Sequence, residues 1–370
     1  MIQTMPGWPA HTHGEDMRFV TVFCSAMLLA GSAVAATPPK FNVVILPVQE
    51  GTGGINDRGQ ILQWHYVGLG RQAAILTGNQ QTVLGTLGGR DSSGFDINNL
   101  GQVVGTSTNA SEETRAFLYS NGTMRDLGSF GGNYTSAHRI TDNGTVLGYS
   151  RTASGASHGF IWTESGGLVD VGTLGGRDSS VSDIDANGRV LGRSQDATGT
   201  WYNFIYENGV MTKLETPSNR PVYSFEPDGG YSGGYSTNDF GGAVSYHIKD
   251  GVVSYPYDLG YIAGIDYARG YAMGGDTWSS NTGRLALLNG ETYGLDEIAS
   301  EDGWQVLYSV DGMNSLGQFV GMGCRADSDE CFDVRLDPLS PVPEPATYAM
   351  LGAGLAMVGW ARRRKGRAQD

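Results

Sequence analysis

The chain has 370 residues, of which 57 are glycine, 39% are apolar and 17% are charged. This composition fits one or two globular, turn-rich domains and excludes a disordered chain, which would be poorer in apolar and aromatic residues. The net charge of −14 at pH 7 argues against nucleic acid or anionic lipid as binding partners.

The first recognisable element is a signal peptide within residues 1–35. Met17 and a following arginine precede an apolar run at residues 19–31, and small residues follow. A basic start, a short apolar core and an Ala-x-Ala site predict export, with cleavage between Ala35 and Ala36. Met17 is the better initiator because two acidic residues stand before it. A retained membrane helix is the alternative, but it needs about 20 apolar residues.

The body repeats itself with a period of about 43 residues. The segment Leu84-Gly-Thr-Leu-Gly-Gly-Arg-Asp-Ser-Ser93 returns almost unchanged at residues 171–180, with a weaker copy at residues 127–132. A second pattern, Ile-Asn-x-x-Gly-x-Val-x-Gly, gives the phase. Its central glycines are Gly59, Gly101, Gly144, Gly188 and Gly317. The gaps of 42, 43, 44 and 129 residues predict two further, degenerate units around Gly229 and Gly270, which makes seven.

Each unit also holds an apolar run before a turn, such as Ala116-Phe-Leu-Tyr119 and Gly159-Phe-Ile-Trp162. Short apolar runs between glycine and asparagine turns are typical of strands and hairpins. Seven such units predict an all-β fold, a seven-bladed β-propeller over residues 37–340. An open β-solenoid is the alternative. It would need capping ends, and the sequence shows none.

The repeat patterns resemble those of the extracellular HAF repeat family. That family combines Asp-Leu-Gly-x-Leu-Gly-Gly, Ile-Asn-x-x-Gly-x-Val-x-Gly and His-Ala-Phe-Leu-Trp. The likeness is strong over residues 84–192 and fades to patterning between residues 215 and 310. The histidine is kept only as His158, with Arg115 and Tyr202 in the equivalent positions. We therefore expect His158 to be a structural side chain at the start of a strand.

The two ends of the repeat array predict how it closes. The seventh unit stops after residues 332–336. Prolines and the C-terminal segment of the chain follow where its next strand would be expected. Residues 41–47 are an apolar strand without a unit. In a complete unit we expect the Leu-Gly-Thr-Leu segment to form the strand that follows the apolar run. Counting back 13 residues from Ile97 reaches Leu84 of this segment, and counting back 13 residues from Ile55 reaches Asn42. We expect residues 41–47 to pair beside residues 332–336, which would remove two exposed sheet edges.

No catalytic, cofactor or metal site is predicted. The repeated glycines lack the Lys-Ser/Thr ending of a phosphate loop. The body's histidines are His65, His138, His158 and His247, and they share no spacing and no nucleophile motif. The acidic segment at residues 327–330 is a candidate for calcium binding, but it lacks the length and glycine of an EF-hand loop. We expect the body not to be an enzyme.

The mature chain keeps two cysteines, Cys324 and Cys331, because Cys24 lies in the signal peptide. In an oxidising compartment this pair predicts a local disulfide, with two unlinked thiols as the alternative. A zinc site needs about four ligands, and no histidine lies nearby.

Half of the 18 tyrosines lie within residues 223–271, in the degenerate units. Tyrosine combines an apolar ring with a polar tip, which suits sugars. The candidate glycan contacts are Tyr231, Tyr235, Tyr257 and Tyr261. Alternatively, these rings fill the outer strands of degenerate blades.

The tail reads Val342-Pro343-Glu344-Pro345, then an uncharged stretch at residues 346–361, then Arg362-Arg363-Arg364-Lys365. Basic residues after an apolar helix stay in the cytoplasm, so residues 36–343 would lie outside it. Residues 342–370 closely resemble the PEP-CTERM sorting signal of bacteria with an outer membrane. The resemblance implies a transmembrane segment, processing by the membrane enzyme exosortase, and an association with exopolysaccharide and biofilm matrix. A permanent tail anchor is the alternative.

The sequence thus predicts an exported protein, first a membrane-anchored precursor and then part of the cell envelope or extracellular space. We expect a non-catalytic role in binding or organising exopolysaccharide. The alternative is a secreted polysaccharide hydrolase or lyase on a propeller scaffold, which would need carboxylates clustered on one face.

Overall fold

The computed structural model describes residues 39–226, 229–236, 243–254, 261–266, 271–275, 283–287, 292–328 and 330–339, which belong to one compact unit, Pro38–Asp370. These residues form an all-β fold, with a short helix α1 (Leu295–Ile298) and a 3-10 turn at Pro217–Asn219. Within the described part of the chain, no helix is long and apolar enough to span a membrane.

Consecutive strands pair antiparallel and form four-stranded meanders. The chain begins with β1 (Phe41–Ile45). The next three meanders are β2 (Thr52–Ile55), β3 (Gln60–Val67), β4 (Gly70–Thr77) and β5 (Gln80–Val83); β6 (Gly88–Ile97), β7 (Val103–Asn109), β8 (Thr114–Ser120) and β9 (Thr123–Asp126); and β10 (Gly131–Ile140), β11 (Val146–Thr152), β12 (Ser157–Thr163) and β13 (Gly167–Asp170).

The later units, including the two degenerate ones around Gly229 and Gly270, form the same kind of meander. The strands that follow are β14 (Gly175–Ile184), β15 (Val190–Asp196), β16 (Trp201–Glu207) and β17 (Val210–Leu214); β18 (Ser224–Phe225), β19 (Tyr231–Ser236), β20 (Ala243–Lys249) and β21 (Val252–Ser254); β22 (Tyr261–Asp266), β23 (Tyr271–Gly275), β24 (Gly283–Leu287) and β25 (Thr292–Tyr293); and β26 (Trp304–Met313), β27 (Phe319–Arg325) and β28 (Cys331–Pro338). We call β26–β28 with β1 the closing meander.

The turn between the first two strands of a meander explains the Ile-Asn-x-x-Gly pattern. In the second meander, Asn98 Oδ1 accepts hydrogen bonds from the backbone N–H groups of Leu100 and Gln102 (both 3.0 Å). Gly101 closes the turn at φ +79°, where glycine is favoured. The pattern therefore encodes a hairpin, as predicted.

The last glycine of the same pattern is required by close packing. A Cβ on Gly148 would overlap the carbonyl oxygen of Ser136 on the adjacent first strand, and Gly105 and Gly192 meet their neighbouring strands in the same way. The first two strands therefore approach backbone to backbone in each regular meander.

The Leu-Gly-Thr-Leu segment is a connection between meanders, and its prediction as a strand was wrong. The fourth strand is the segment before it, β5, and the chain then crosses to β6. Gly85 (φ +79°) and Gly88 (φ +103°) break the extended conformation. The Leu87 N–H donates to the buried Ser107 Oγ (2.9 Å), and the equivalent bonds recur at Phe130 and Leu174.

The apolar core lies between neighbouring meanders. Leu62 and Ile75 of the first meander pack with Val103 and Phe117 of the second, and Phe160 occupies the equivalent place in the next cluster. Full burial of such a side chain stabilises the fold by about 1.5–3 kcal/mol. This face-to-face stacking of small antiparallel sheets is a β-propeller-like arrangement.

The predicted pairing of the N-terminal strand with the last strand is confirmed. β1 pairs antiparallel with β28, with Phe41 opposite Pro338 and Ile45 opposite Val334. The Leu46 N–H donates to the Asp333 carbonyl, as Leu84 N–H donates to Ala73. Leu46 is therefore the counterpart of Leu84, and the predicted equivalence of Asn42 with Leu84 was wrong because the first connection is four residues shorter.

The closing meander is joined to the first meander by the same type of hydrogen bond that joins consecutive meanders. Asn56 Nδ2 donates to the Asn98 carbonyl (2.9 Å), and Asn314 Nδ2 donates to the Asn56 carbonyl (3.0 Å). We call these bonds turn staples. An open solenoid would leave the two ends of the array apart, whereas here they meet.

Candidate functional site

Most first strands carry a one-residue bulge at the same step of the meander. The extra residue is Phe95 in β6, His138 in β10, Ser182 in β14 and Asp311 in β26. The first strands β26, β2, β6 and β10 lie side by side, and His138 of β10 bonds to β14, so these positions form a connected series. Because bulges re-aim side chains and are frequent beside active sites, the bulge residues are the candidate functional site.

His138 is held as a structural group. Its Nε2 lies 3.0 Å from the Val181 carbonyl, so this nitrogen carries the hydrogen and donates it. Burial lowers the pKa of His138, which keeps the ring neutral at pH 7. The imidazole therefore links β10 to β14.

Asp311 and Asp333 lie at the joint between the closing meander and the first. Asp311 accepts a hydrogen bond from Thr52 Oγ1 (2.6 Å), and Asp333 accepts one from the Gly51 N–H (2.7 Å). Burial raises the pKa of both carboxyls, and the charge of Asp333 raises the pKa of Asp311 further. Both carboxyls thus bond to the chain that enters β2.

The residue after the bulge also joins neighbouring meanders. Asp96 Oδ2 accepts from the Ile140 N–H (2.8 Å), and Asp183 Oδ2 accepts from the Phe225 N–H (2.8 Å). Burial raises the pKa of Asp96. Sequence reasoning missed both carboxylates, although a repeated Asp-Ile pair before the turn pattern was the available signal.

The hydrogen bonds of the candidate site join neighbouring repeats. His138 and the four carboxylates described above each bond to a backbone group or a hydroxyl of a neighbouring strand or of the connection before it. Among the residues that the structure describes, no group of three or more His, Cys, Asp or Glu side chains is placed to hold a metal ion.

The tyrosine cluster is only partly within the described residues. Tyr231 is half-buried and packs against the core of the β18–β21 meander, with its ring 5.9 Å from that of Phe225. Tyr235 and Tyr261 lie on β19 and β22, but their side chains and the whole of Tyr257 lie outside the described residues. The Tyr231 ring thus contributes to the core of this meander.

Cys324 and Cys331 are joined in a disulfide, with 4.0 Å between their Cα atoms. They are directly paired across β27 and β28. The bond therefore ties the end of the closing meander from which the acidic loop projects.

Two other histidines lie within hydrogen-bonding distance of carboxylates. His158 Nδ1 lies 2.8 Å from Asp170 Oδ2, which joins the start of β12 to β13, and His65 Nδ1 lies 2.9 Å from Glu50 Oε2. Each pair connects neighbouring strands or the connection beside them. This geometry agrees with a structural role for His158.

Residues 341–365 match the PEP-CTERM protein-sorting motif. The motif implies a secreted protein that is anchored in the membrane as a precursor and is then processed by exosortase. The predicted residues Ala35, Ala36, Val342–Pro345 and Arg362–Arg364 lie outside the residues that the structure describes.

Two solved structures with TM-scores above 0.5 have the same type of fold. The β-propeller domain of the Trilobed protease from Pyrococcus furiosus has a TM-score of 0.51 at 12% identity, covering 83% of this chain and 100% of that chain. A puromycin-hydrolyzing peptidase of Mycobacterium tuberculosis gives 0.51 at 11% identity, covering 83% and 53%. YCF48 bound to D1 peptide gives 0.47 at 13% identity, covering 84% and 100%. At these identities the likeness concerns the fold alone. No curated protein matches the chain.

Proposed function

We propose that this chain is a non-catalytic protein of the bacterial cell envelope or extracellular matrix that binds or organises exopolysaccharide. The observation that carries the proposal is the sorting motif at residues 341–365, attached to an acidic repeat body. Sorting places the body where it meets the cell's own polysaccharide.

The body in this proposal is a closed seven-bladed propeller of HAF-like repeats. Support comes from the strand pairings, which place β1–β28 in sets of four, and from the turn staple between Asn314 and Asn56. The repeat phase read from the sequence gives the same number of units.

A non-catalytic role is supported by the state of the candidate site. His138 is neutral and bonded, and Asp311 and Asp333 hold the joint between meanders. An exported hydrolase or lyase would instead need carboxylates free to reach a glycan. Release of reducing ends or unsaturated products from a broad glycan panel would contradict the proposal.

Binding is tested by retention of the purified body on the producer's exopolysaccharide at low salt. Removing the two end segments, with six basic and four acidic residues, leaves a net charge of −16. Such a body repels an anionic polymer, so a neutral polysaccharide fits best. A triple variant of Tyr235, Tyr257 and Tyr261 to alanine should lose retention and keep its circular dichroism. Absence of wild-type retention would overturn the glycan role.

Processing is tested by intact-mass measurement of the envelope form. The mature chain should begin near Ala36 and lack its Arg-rich end in cells that have exosortase. Recovery of Arg362–Arg364 in the mature form would replace the sorting role by a permanent anchor.

A further inference from the structure

Both ends of the body leave the closing meander at the same place. Phe41 lies opposite Pro338, and the Leu339 N–H donates to the Lys40 carbonyl (2.9 Å). The chain that arrives from the signal peptide and the chain that departs toward the sorting motif are therefore neighbours.

Strand direction fixes which face they leave from. We call the face that carries the turns at residues 56–59, 98–101 and 314–317 the turn face. Phe319 follows the last of these turns and pairs with Leu336, whereas the disulfide pair lies at the other end of the same hairpin. Leu339 thus emerges at the turn face, and the disulfide lies at the opposite face.

The tether to the membrane is short. Residues 340–345 separate Leu339 from the apolar stretch that begins at Ala346. Six extended residues span at most about 20 Å. A strand of seven or eight residues adds roughly 25 Å between the turn face and the opposite face.

We infer that in the membrane-anchored precursor the turn face is held close to the membrane and covered, and that removal of the tail uncovers it. The turn face carries Asp57, Asp142 and Asp185, so the tail and not lipid attraction keeps it there. Exosortase processing thereby exposes a surface that envelope partners cannot reach before. This inference rests on the sorting motif and the strand directions, and not on glycan binding.

Two cysteine variants in the first meander test the inference. Asn79→Cys lies in the exposed β4–β5 turn at the turn face, and Leu69→Cys lies in the β3–β4 turn at the opposite face, where Leu69 is 91% exposed. The native disulfide leaves no competing thiol in the body. A bulky, membrane-impermeant maleimide is applied to spheroplasts from cells with and without active exosortase.

In cells without exosortase, Asn79→Cys should react several-fold more slowly than Leu69→Cys, and processing should bring the two rates together. A flexible Gly/Ser insert of about 20 residues between residues 339 and 340 should have the same effect without processing. Equal rates in the unprocessed precursor would overturn the inference. Slow labelling of Asn79→Cys that persists with the insert would also overturn it, because protection would then come from the body itself.

Discussion

The regular meanders, β6–β17, and the closing meander both have four strands, but the strands come from different parts of the chain. In the regular meanders all four strands follow one another, and the fourth strand is mostly exposed. The closing meander takes its fourth strand from a segment 297 residues away, as Phe41 pairs with Pro338. A non-local pairing forms at a higher entropic cost, so it needs stronger contacts.

Those stronger contacts are present around β1. Phe41 is fully buried, with its ring 5.7 Å from that of Phe319, and Val43 is buried beside it. The segment after α1 covers β1, since the Ser300 N–H donates to the Phe41 carbonyl. Burial of Phe41 and Val43 therefore stabilises a strand pairing that no local hairpin holds in place.

The largest effect is expected from Phe41→Ala. It removes a fully buried ring and should lower the free energy of unfolding by about 3–5 kcal/mol. The matched variant Val169→Ala, on the exposed fourth strand β13, should change it by less than about 0.5 kcal/mol. Urea unfolding followed by circular dichroism measures both. Equal effects would mean that the two kinds of fourth strand do not differ.

The close approach of the first two strands should be equally important in both regions. Gly148→Ala and Gly321→Ala would each place a Cβ on a carbonyl oxygen, of Ser136 and Ser309. Each should cost about 3 kcal/mol, at the upper end for overpacking. In the control Gly144→Ala the added Cβ would meet only Gln102 Oε1, at an ordinary contact distance of 3.9 Å, so the variant should cost only about 1–2 kcal/mol for its positive φ. Urea unfolding measures these variants. A much smaller effect of Gly321→Ala would mean that the close approach of the two strands matters less in the closing meander.

The bond from the connection to a buried serine should matter only in the regular meanders. Ser150 Oγ accepts from the Phe130 N–H, and Ser150→Ala leaves that donor unpaired at a cost of about 1–3 kcal/mol. The exposed Ser154→Ala is the control. In the closing meander Gly323 holds the equivalent position, so Gly323→Ser should gain nothing. Thermal unfolding of the three variants decides this.

The smallest effect concerns pH at the joint between the closing and first meanders. Because burial raises the native pKa of Asp311 above its unfolded value of about 3.9, ionisation of this carboxyl weakens the fold as pH rises through that window. Asp311→Asn keeps an acceptor for Thr52 and removes the penalty. Its gain in unfolding free energy should be present at pH 7 and disappear below about pH 4. A gain that grows on acidification would contradict the assignment.

The sequence predicts the regular meanders well because their determinants are local. Turn asparagines and glycines recur within each unit, and the apolar run around Phe117 or Phe160 marks the third strand. The all-β fold and the pairing of β1 with β28 follow from this periodicity. The predicted phase of the first unit was wrong because nothing in its sequence marks the shorter connection after Leu46.

The candidate site was beyond sequence reasoning for a different reason. Bulge residues such as Phe95, His138 and Asp311 share a position but no residue type, so no motif connects them. Their bonds also reach the next meander, and which atoms meet there depends on strand stacking. The disulfide was predictable, since two cysteines seven residues apart bracket one hairpin.

Hydrogen exchange of the mature protein tests the closed ring most directly. In β1, every second amide should be protected because it donates across the β1–β28 pair, and mass spectrometry on a peptide covering residues 41–45 measures this. The peptide covering β9 provides the comparison with a regular fourth strand. Protection of β1 at least equal to that of β9 is the predicted result. Rapid exchange of β1 beside protected β26–β28 would contradict closure by the N-terminal strand.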